Sequence, residues 1–92
     1  MADIYLPTPL RRLTQGQARI PAEGRTVDEA LSAAERRYPG LREQLRDESG
    51  KLRSFINVFV NGTEIRALQG CETALNAADE VTIVPAMAGG GR

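Results

Sequence analysis

No histidine occurs anywhere in the 92 residues, cysteine occurs once, at Cys71, and no apolar run approaches the length needed to cross a bilayer. Each absence argues against a class of function. Without histidine there is no imidazole to serve as a general base or to share a zinc site, and a single cysteine forbids an internal disulfide. Metal centres and Cys-His or Ser-His machinery are therefore not expected: no catalytic residue, no metal ligand and no bound cofactor. Net charge is also missing, because 12 basic and 12 acidic residues cancel. No overall field exists to attract nucleic acid or an anionic membrane, so partners must be recognised by shape. The N-terminal "MADIYLPTPL" lacks the basic-then-apolar order of a signal peptide, which points to the cytoplasm. Lysine appears only at Lys51, the remaining cations being arginine.

What is present suits one small folded domain. Hydrophobic residues make up 41% and charged residues 26%, ordinary globular values that speak against both disorder and a membrane protein. "DIYLP" alternates, with Ile4 and Leu6 on one face and Tyr5 on the other, and "ARI" follows the turn-prone "TQGQ", which predicts a first hairpin. "TVDE" has the form of a capping box, with Thr26 accepting from the amide of Glu29 and that carboxylate returning to the Thr26 amide. Val27, Ala30, Leu31, Ala34 and Tyr38 then recur at helical spacing until Pro39 and Gly40 stop the pattern. "LREQL" offers one more short turn or helix, and "RDESGK" a polar loop.

"FINVFVNGTEIR" carries the strongest structural signal, because Asn-Gly between two β-rich runs favours a type I′ turn and a tight hairpin. Ile56, Val58 and Val60 share one face of its first strand, and Phe55, Asn57 and Phe59 the other. For Phe55 and Phe59, sheet packing and partner contact are equally open. "DEVTIVPA" supplies a last strand from Glu80 to Val84, ended by Pro85. The order is hairpin, helix, hairpin, last strand, so an α+β architecture of about five strands in one mixed sheet against one main helix is the economical arrangement. Behind the last strand comes "AGGGR". It is no phosphate loop, since no helix follows to point its N-terminus at an anion. Cys71 reads as a small hydrophobe, with no neighbouring cation or histidine to favour a thiolate.

"FINVFVNGTEIR" followed by "DEVTIVPAMAGG" resembles the ubiquitin-like sulfur carriers of the MoaD/ThiS family, over almost the whole chain from "YLPTPLRRL" onward. The specific parts are the strand with its Asn-Gly hairpin, the acidic pair Asp79 and Glu80, and the Pro-Ala-x-Ala-Gly-Gly ending. The nearest likeness is to members that serve cysteine biosynthesis. The resemblance implies a β-grasp domain over residues 1–86 and a flexible glycine-rich tail over 87–92, with no catalysis of its own. A partner, an E1-like adenylating enzyme, would use ATP to adenylate the terminal glycine carboxylate. A persulfide or sulfide would then displace AMP to leave a thiocarboxylate for a sulfur-accepting biosynthetic enzyme. Glycine suits such a tail because it has no Cβ to clash in a narrow channel. Gly89, Gly90 and Gly91 form that tail, and Phe59 and Val84, on the face opposite Ile56, Val58 and Ile83, are the expected docking residues.

Family members finish at Gly-Gly, whereas this chain continues with Gly91 and Arg92. A terminal Arg92 would carry a bulky charged side chain into a channel shaped for glycine. The expectation is a precursor in which Gly91-Arg92 is removed, by a zinc metalloprotease, to expose Gly90; loss of Arg92 alone would make Gly91 the reactive terminus. Cysteine, molybdopterin, thiamine or a secondary metabolite could receive the sulfur. Two other functions share the same features: a ubiquitin-like modifier joined to target lysines, and a structural subunit of a molybdopterin-synthase-like complex.

Overall fold

The structure, a computed structural model, describes residues 2–85. The tail, its boundary after residue 86, and the residues Gly89, Gly90, Gly91 and Arg92 lie outside the described residues. Five strands form one mixed sheet: β1 (Ala2–Tyr5), β2 (Arg19–Ala22), β3 (Ile56–Val60), β4 (Thr63–Glu64) and β5 (Glu80–Pro85), in the order β2-β1-β5-β3-β4. The last strand is therefore central, parallel to β1 and antiparallel to β3. Three helices accompany the sheet: α1 (Thr8–Arg11), α2 (Val27–Arg37) and α3 (Pro39–Leu45).

Alternation decides which side of the sheet meets the helices. Ile4, Ile20, Ile56, Val58, Val81 and Ile83 point inward and are buried with Val27, Ala30, Leu31 and Ala34 of α2 and Leu41 and Leu45 of α3. The helical periodicity of the sequence thus marks the core face, except that Tyr38 has left the helix as its C-cap and is only partly buried. Pro39 does more than stop α2. It expels the preceding residue from helical angles, with Tyr38 at φ −129° and ψ 84°, and then sits in the first turn of α3, where its missing N–H costs nothing.

The first hairpin is as expected, β1 and β2 pairing from Ala2↔Ala22 to Tyr5↔Arg19, but its connection is more than a turn and contains α1 and a 3₁₀ turn at Arg12–Thr14. The capping box also differs in one half. The Glu29 amide donates to Thr26 Oγ1 at 3.2 Å, but the Glu29 carboxylate accepts from the Arg25 amide at 2.7 Å rather than from that of Thr26. Gly24, at φ +130°, makes room for this: a Cβ there would lie 2.5 Å from Glu29 Cβ.

The second hairpin follows its Asn-Gly signal. Asn61 and Gly62 both take positive φ, 52° and 87°, which a type I′ turn requires, and Val60 pairs with Thr63. Asn61 also fastens the turn to the start of β5. Its Oδ1 accepts from the Glu80 amide at 3.0 Å, and its Nδ2 donates to Asp79 Oδ1 at 2.9 Å. The second Asp79 oxygen accepts from the Asn76 amide at 2.8 Å.

Between α2 and the residue after α3 lies an ion cluster with no signature in the sequence, its Glu35–Arg46 pair buried and its Asp28 half exposed. Arg46 donates through Nε to Glu35 Oε2 at 2.8 Å, and its Nη atoms reach Asp28 Oδ1 at 3.3 Å and the Gly50 carbonyl at 3.1 Å. The Glu35 and Arg46 side chains are only 3% and 7% exposed, so each depends on the other for compensation.

Two outcomes follow. Arg46→Ala should destabilise the fold by about 3–5 kcal/mol in urea titration, because it strands a buried carboxylate; a loss below about 1 kcal/mol would show that the pair is dispensable. The amide of Asn76 and the side chain of Asn61, bonding Asp79, hold its carboxyl below the usual aspartate range. Its contribution is thus complete above the unfolded value near pH 4 and fades as pH falls through the lower folded value. Asp79→Ala should therefore unfold more easily than wild type at neutral pH, and the difference should shrink in acid.

Candidate functional site

The outward face of the sheet is built by the same alternation that fills the core. Its central row runs from Tyr5 on β1 through Thr82 on β5 and Phe59 on β3 to Glu64 on β4. One step towards the end of β5, Val84 lies opposite Asn57. Phe59 and Val84 therefore share the face and neighbouring strands, as expected. They differ in exposure: Val84 is 41% exposed, while Phe59 is half-buried between its cross-strand partners Thr82 and Glu64. For Phe59, left open between sheet packing and partner contact, the ring offers only part of its surface.

Arginines border this strip on both flanks. Arg19 stacks over Tyr5 with its guanidinium carbon 4.7 Å from the ring centroid, and lies 3.8 Å from Asp3. Arg66 donates to Asn57 Oδ1 at 3.2 Å and reaches the carbonyls of Ser54 and Ile56 at 3.4 Å. Neither placement was legible in the sequence, because the partners that set it, Tyr5 for Arg19 and Asn57 for Arg66, lie on other elements.

Two more exposed apolar groups stand out. Phe55, left open between packing and partner contact, is 45% exposed just ahead of β3, and Leu68 is 44% exposed after the first 3₁₀ turn following β4. Phe55 is adjacent to Ile56, which pairs with Pro85, so it flanks the point where the described chain ends. A large apolar residue one position outside a strand is the only sequence signal for this placement.

The remaining chemistry-bearing groups are not arranged for catalysis. Among the described residues no cluster of three or more His, Cys, Asp or Glu could hold a metal ion. Cys71 is half-buried against the core, and burial pushes its thiol above the usual range, opposite to an activated thiolate. No helix among the described residues is long and apolar enough to cross a membrane.

Comparison with known proteins places this architecture. The chain matches the ThiS family over residues 4–90 and belongs to that family. It is 43% identical to the sulfur carrier protein CysO of Mycobacterium tuberculosis over 89 residues, which is 95% of this chain and 96% of that protein. A chain of the crystallised BexX/CysO complex of Amycolatopsis orientalis superposes with a TM-score of 0.88 at 38% identity, covering 96% of this chain and 98% of the other. The small archaeal modifier protein 1 of Methanosarcina acetivorans gives a TM-score of 0.86 at 29% identity, with coverage of 95% and 93%. The fold is accordingly the ubiquitin-like β-grasp, and the family is one of sulfur carriers, small carrier proteins rather than enzymes.

If the outward strip is surface and not core, Val84→Asp should lower stability by no more than about 1 kcal/mol, the span of strand propensities. Phe59→Ala should cost about 1–2 kcal/mol, less than the 3–5 of a buried ring. Urea titration of both variants measures this. A full core penalty at Phe59 would remove it from any docking surface.

Proposed function

We propose that this ThiS-family chain carries sulfur as a thiocarboxylate on a C-terminal glycine. An E1-like partner, using ATP, converts the terminal carboxylate to an acyl adenylate and releases pyrophosphate. Sulfide then attacks the carbonyl carbon: a C–S bond forms, the C–O bond to AMP breaks, and AMP departs with its electron pair. The thiocarboxylate is handed to a biosynthetic enzyme, in the cytoplasm. Likeness to CysO favours cysteine biosynthesis over molybdopterin, thiamine or a secondary metabolite.

The observation that carries this proposal is the position of the last strand. β5 is central, and it ends at Pro85, five positions before Gly90. Five extended residues reach at most about 17 Å, enough to thread a carboxylate to an α-phosphate while the domain stays outside. Ordering such a segment costs on the order of 1–2 kcal/mol per residue, so the domain surface must supply the docking energy. Val84 and the half-buried Phe59 are the proposed contacts. The reactive carboxylate is assigned to Gly90 after a zinc metalloprotease removes Gly91-Arg92, with Gly91 as the terminus if only Arg92 is lost. A ubiquitin-like modifier that forms isopeptide bonds is the second reading, favoured by the likeness to small archaeal modifier proteins.

Chains ending at Gly90, Gly91 and Arg92 should be compared in ATP–pyrophosphate exchange with the adenylating enzymes of the same genome. The chain ending at Gly90 should stimulate exchange and the full-length chain should not. Equal activation of all three would overturn the precursor assignment. Activity only in the chain ending at Gly91 would move the reactive carboxylate by one residue. Failure of every form would overturn the carrier proposal.

A further inference from the structure

A cleft of about 210 Å³ opens beside the point where β5 ends, away from the Phe59–Val84 strip. Its walls are Pro9 and Leu10 of α1, Phe55 and Ile56 at the entry to β3, and Pro85, with Gln44 of α3 and Arg12 completing the lining. Arg12 is the only charged residue there. Phe55, at 45% exposure, keeps nearly half of its ring open to solvent at this site.

Several arginines surround the cleft. Arg11 donates to the Leu6 carbonyl at 3.1 Å, and Arg53 reaches the Glu43 carbonyl at 3.2 and 3.3 Å. Arg66, on the far side of Phe55, is held by the carbonyls of Ser54 and Ile56. Arg66 also lies 4.0 Å from Glu64, which offsets its charge, whereas the bonds of Arg11 and Arg53 go to neutral oxygens. Among the described residues, none of Arg11, Arg12 and Arg53 forms a salt bridge with a carboxylate. Glu43, Asp47 and Glu48 line the adjoining surface with Arg42 and Arg53 rather than the cleft. At the opposite end of the sheet stand Asp3, Glu23, Asp79 and Glu80, where β1 and β5 begin and β2 ends. Arg11 and Arg12 stand without a salt-bridged carboxylate among the described residues, at the end of the sheet where β5 reaches Pro85.

The geometry points to this cleft as a second grip for the enzyme that activates the terminus, filled by an apolar side chain of that enzyme flanked by carboxylates. The inference rests on the carrier function proposed above. A contact that includes Pro85 fixes the origin of the tail, and the outward strip alone holds only one side of β5. Buried aromatic contacts at the centre of an interface supply most of its affinity, while charges around the rim steer association and make it depend on salt.

The test is ATP–pyrophosphate exchange with the cognate adenylating enzyme, using the activation-competent form of the chain and varying carrier and salt concentrations. Phe55→Ala should raise KM for the carrier by roughly tenfold with kcat unchanged. Arg12→Glu should also raise KM and flatten its rise with salt, whereas Arg12→Lys should keep the wild-type salt dependence. Circular dichroism and urea titration of the exposed-site variants should match wild type. Unchanged KM in Phe55→Ala and Arg12→Glu, with wild type still activated, overturns the cleft and leaves the carrier function standing. A wild-type chain that stimulates no exchange overturns both.

Discussion

The pairing of β5 between β1 and β3 constrains everything else in this molecule. Its neighbours come from the start of the chain and from the second hairpin, so the sheet cannot close until the last strand is in place. The Asn61–Asp79 clasp sets where that strand begins, and the Ile56↔Pro85 pair sets where it ends. A central strand is bonded along both edges, which fixes where the described chain ends at Pro85. A carrier needs that fixed point, because a short tail can reach a buried reaction centre only if its root is held close to the entrance.

Charge is distributed to serve the same geometry. The core accepts one costly pair, Glu35 with Arg46, and leaves Glu35 Oε1 without a hydrogen-bond partner among the described residues; Arg42 approaches it only to 3.9 Å. A buried pair of this kind adds little net stability over an apolar substitute, but it penalises any arrangement that separates α2 from the segment after α3. Arg46 also holds the Gly50 carbonyl and bridges to Leu52, so the loop that delivers Phe55 and β3 is anchored from inside. At the surface, Arg11 and Arg12 stand without a salt-bridged carboxylate among the described residues, near the end of β5. Net neutrality therefore coexists with local positive charge, which expecting recognition by shape alone misses.

The fold was legible where local chemistry and tertiary structure agree. Asn-Gly demands positive φ at both turn residues, Thr26 must satisfy an amide at a helix start, and the alternation of Ile56, Val58 and Val60 admits one inward face. It was less legible where a residue's partner lies far along the chain. Nothing near Glu29 shows that its carboxylate serves Arg25, nothing near Arg46 names Glu35, and Pro39 can end one helix and start the next only because Leu41 and Leu45 find a core to enter. Of the site, the outward face was visible in strand periodicity. The depth of Phe59 was not, because it is set by Thr82 and Glu64 on other strands. The exposure of Phe55 depends equally on where α1 and α3 pack.

The central claim is that the chain bears sulfur at its C-terminal glycine. Intact-mass analysis of the protein isolated from its native host, under conditions that preserve thioacids, tests it most directly. The account predicts a species ending at Gly90 in which one terminal oxygen is replaced by sulfur. Finding only full-length chains with an ordinary Arg92 carboxylate, or only chains joined through the terminus to lysines of other proteins, would contradict it.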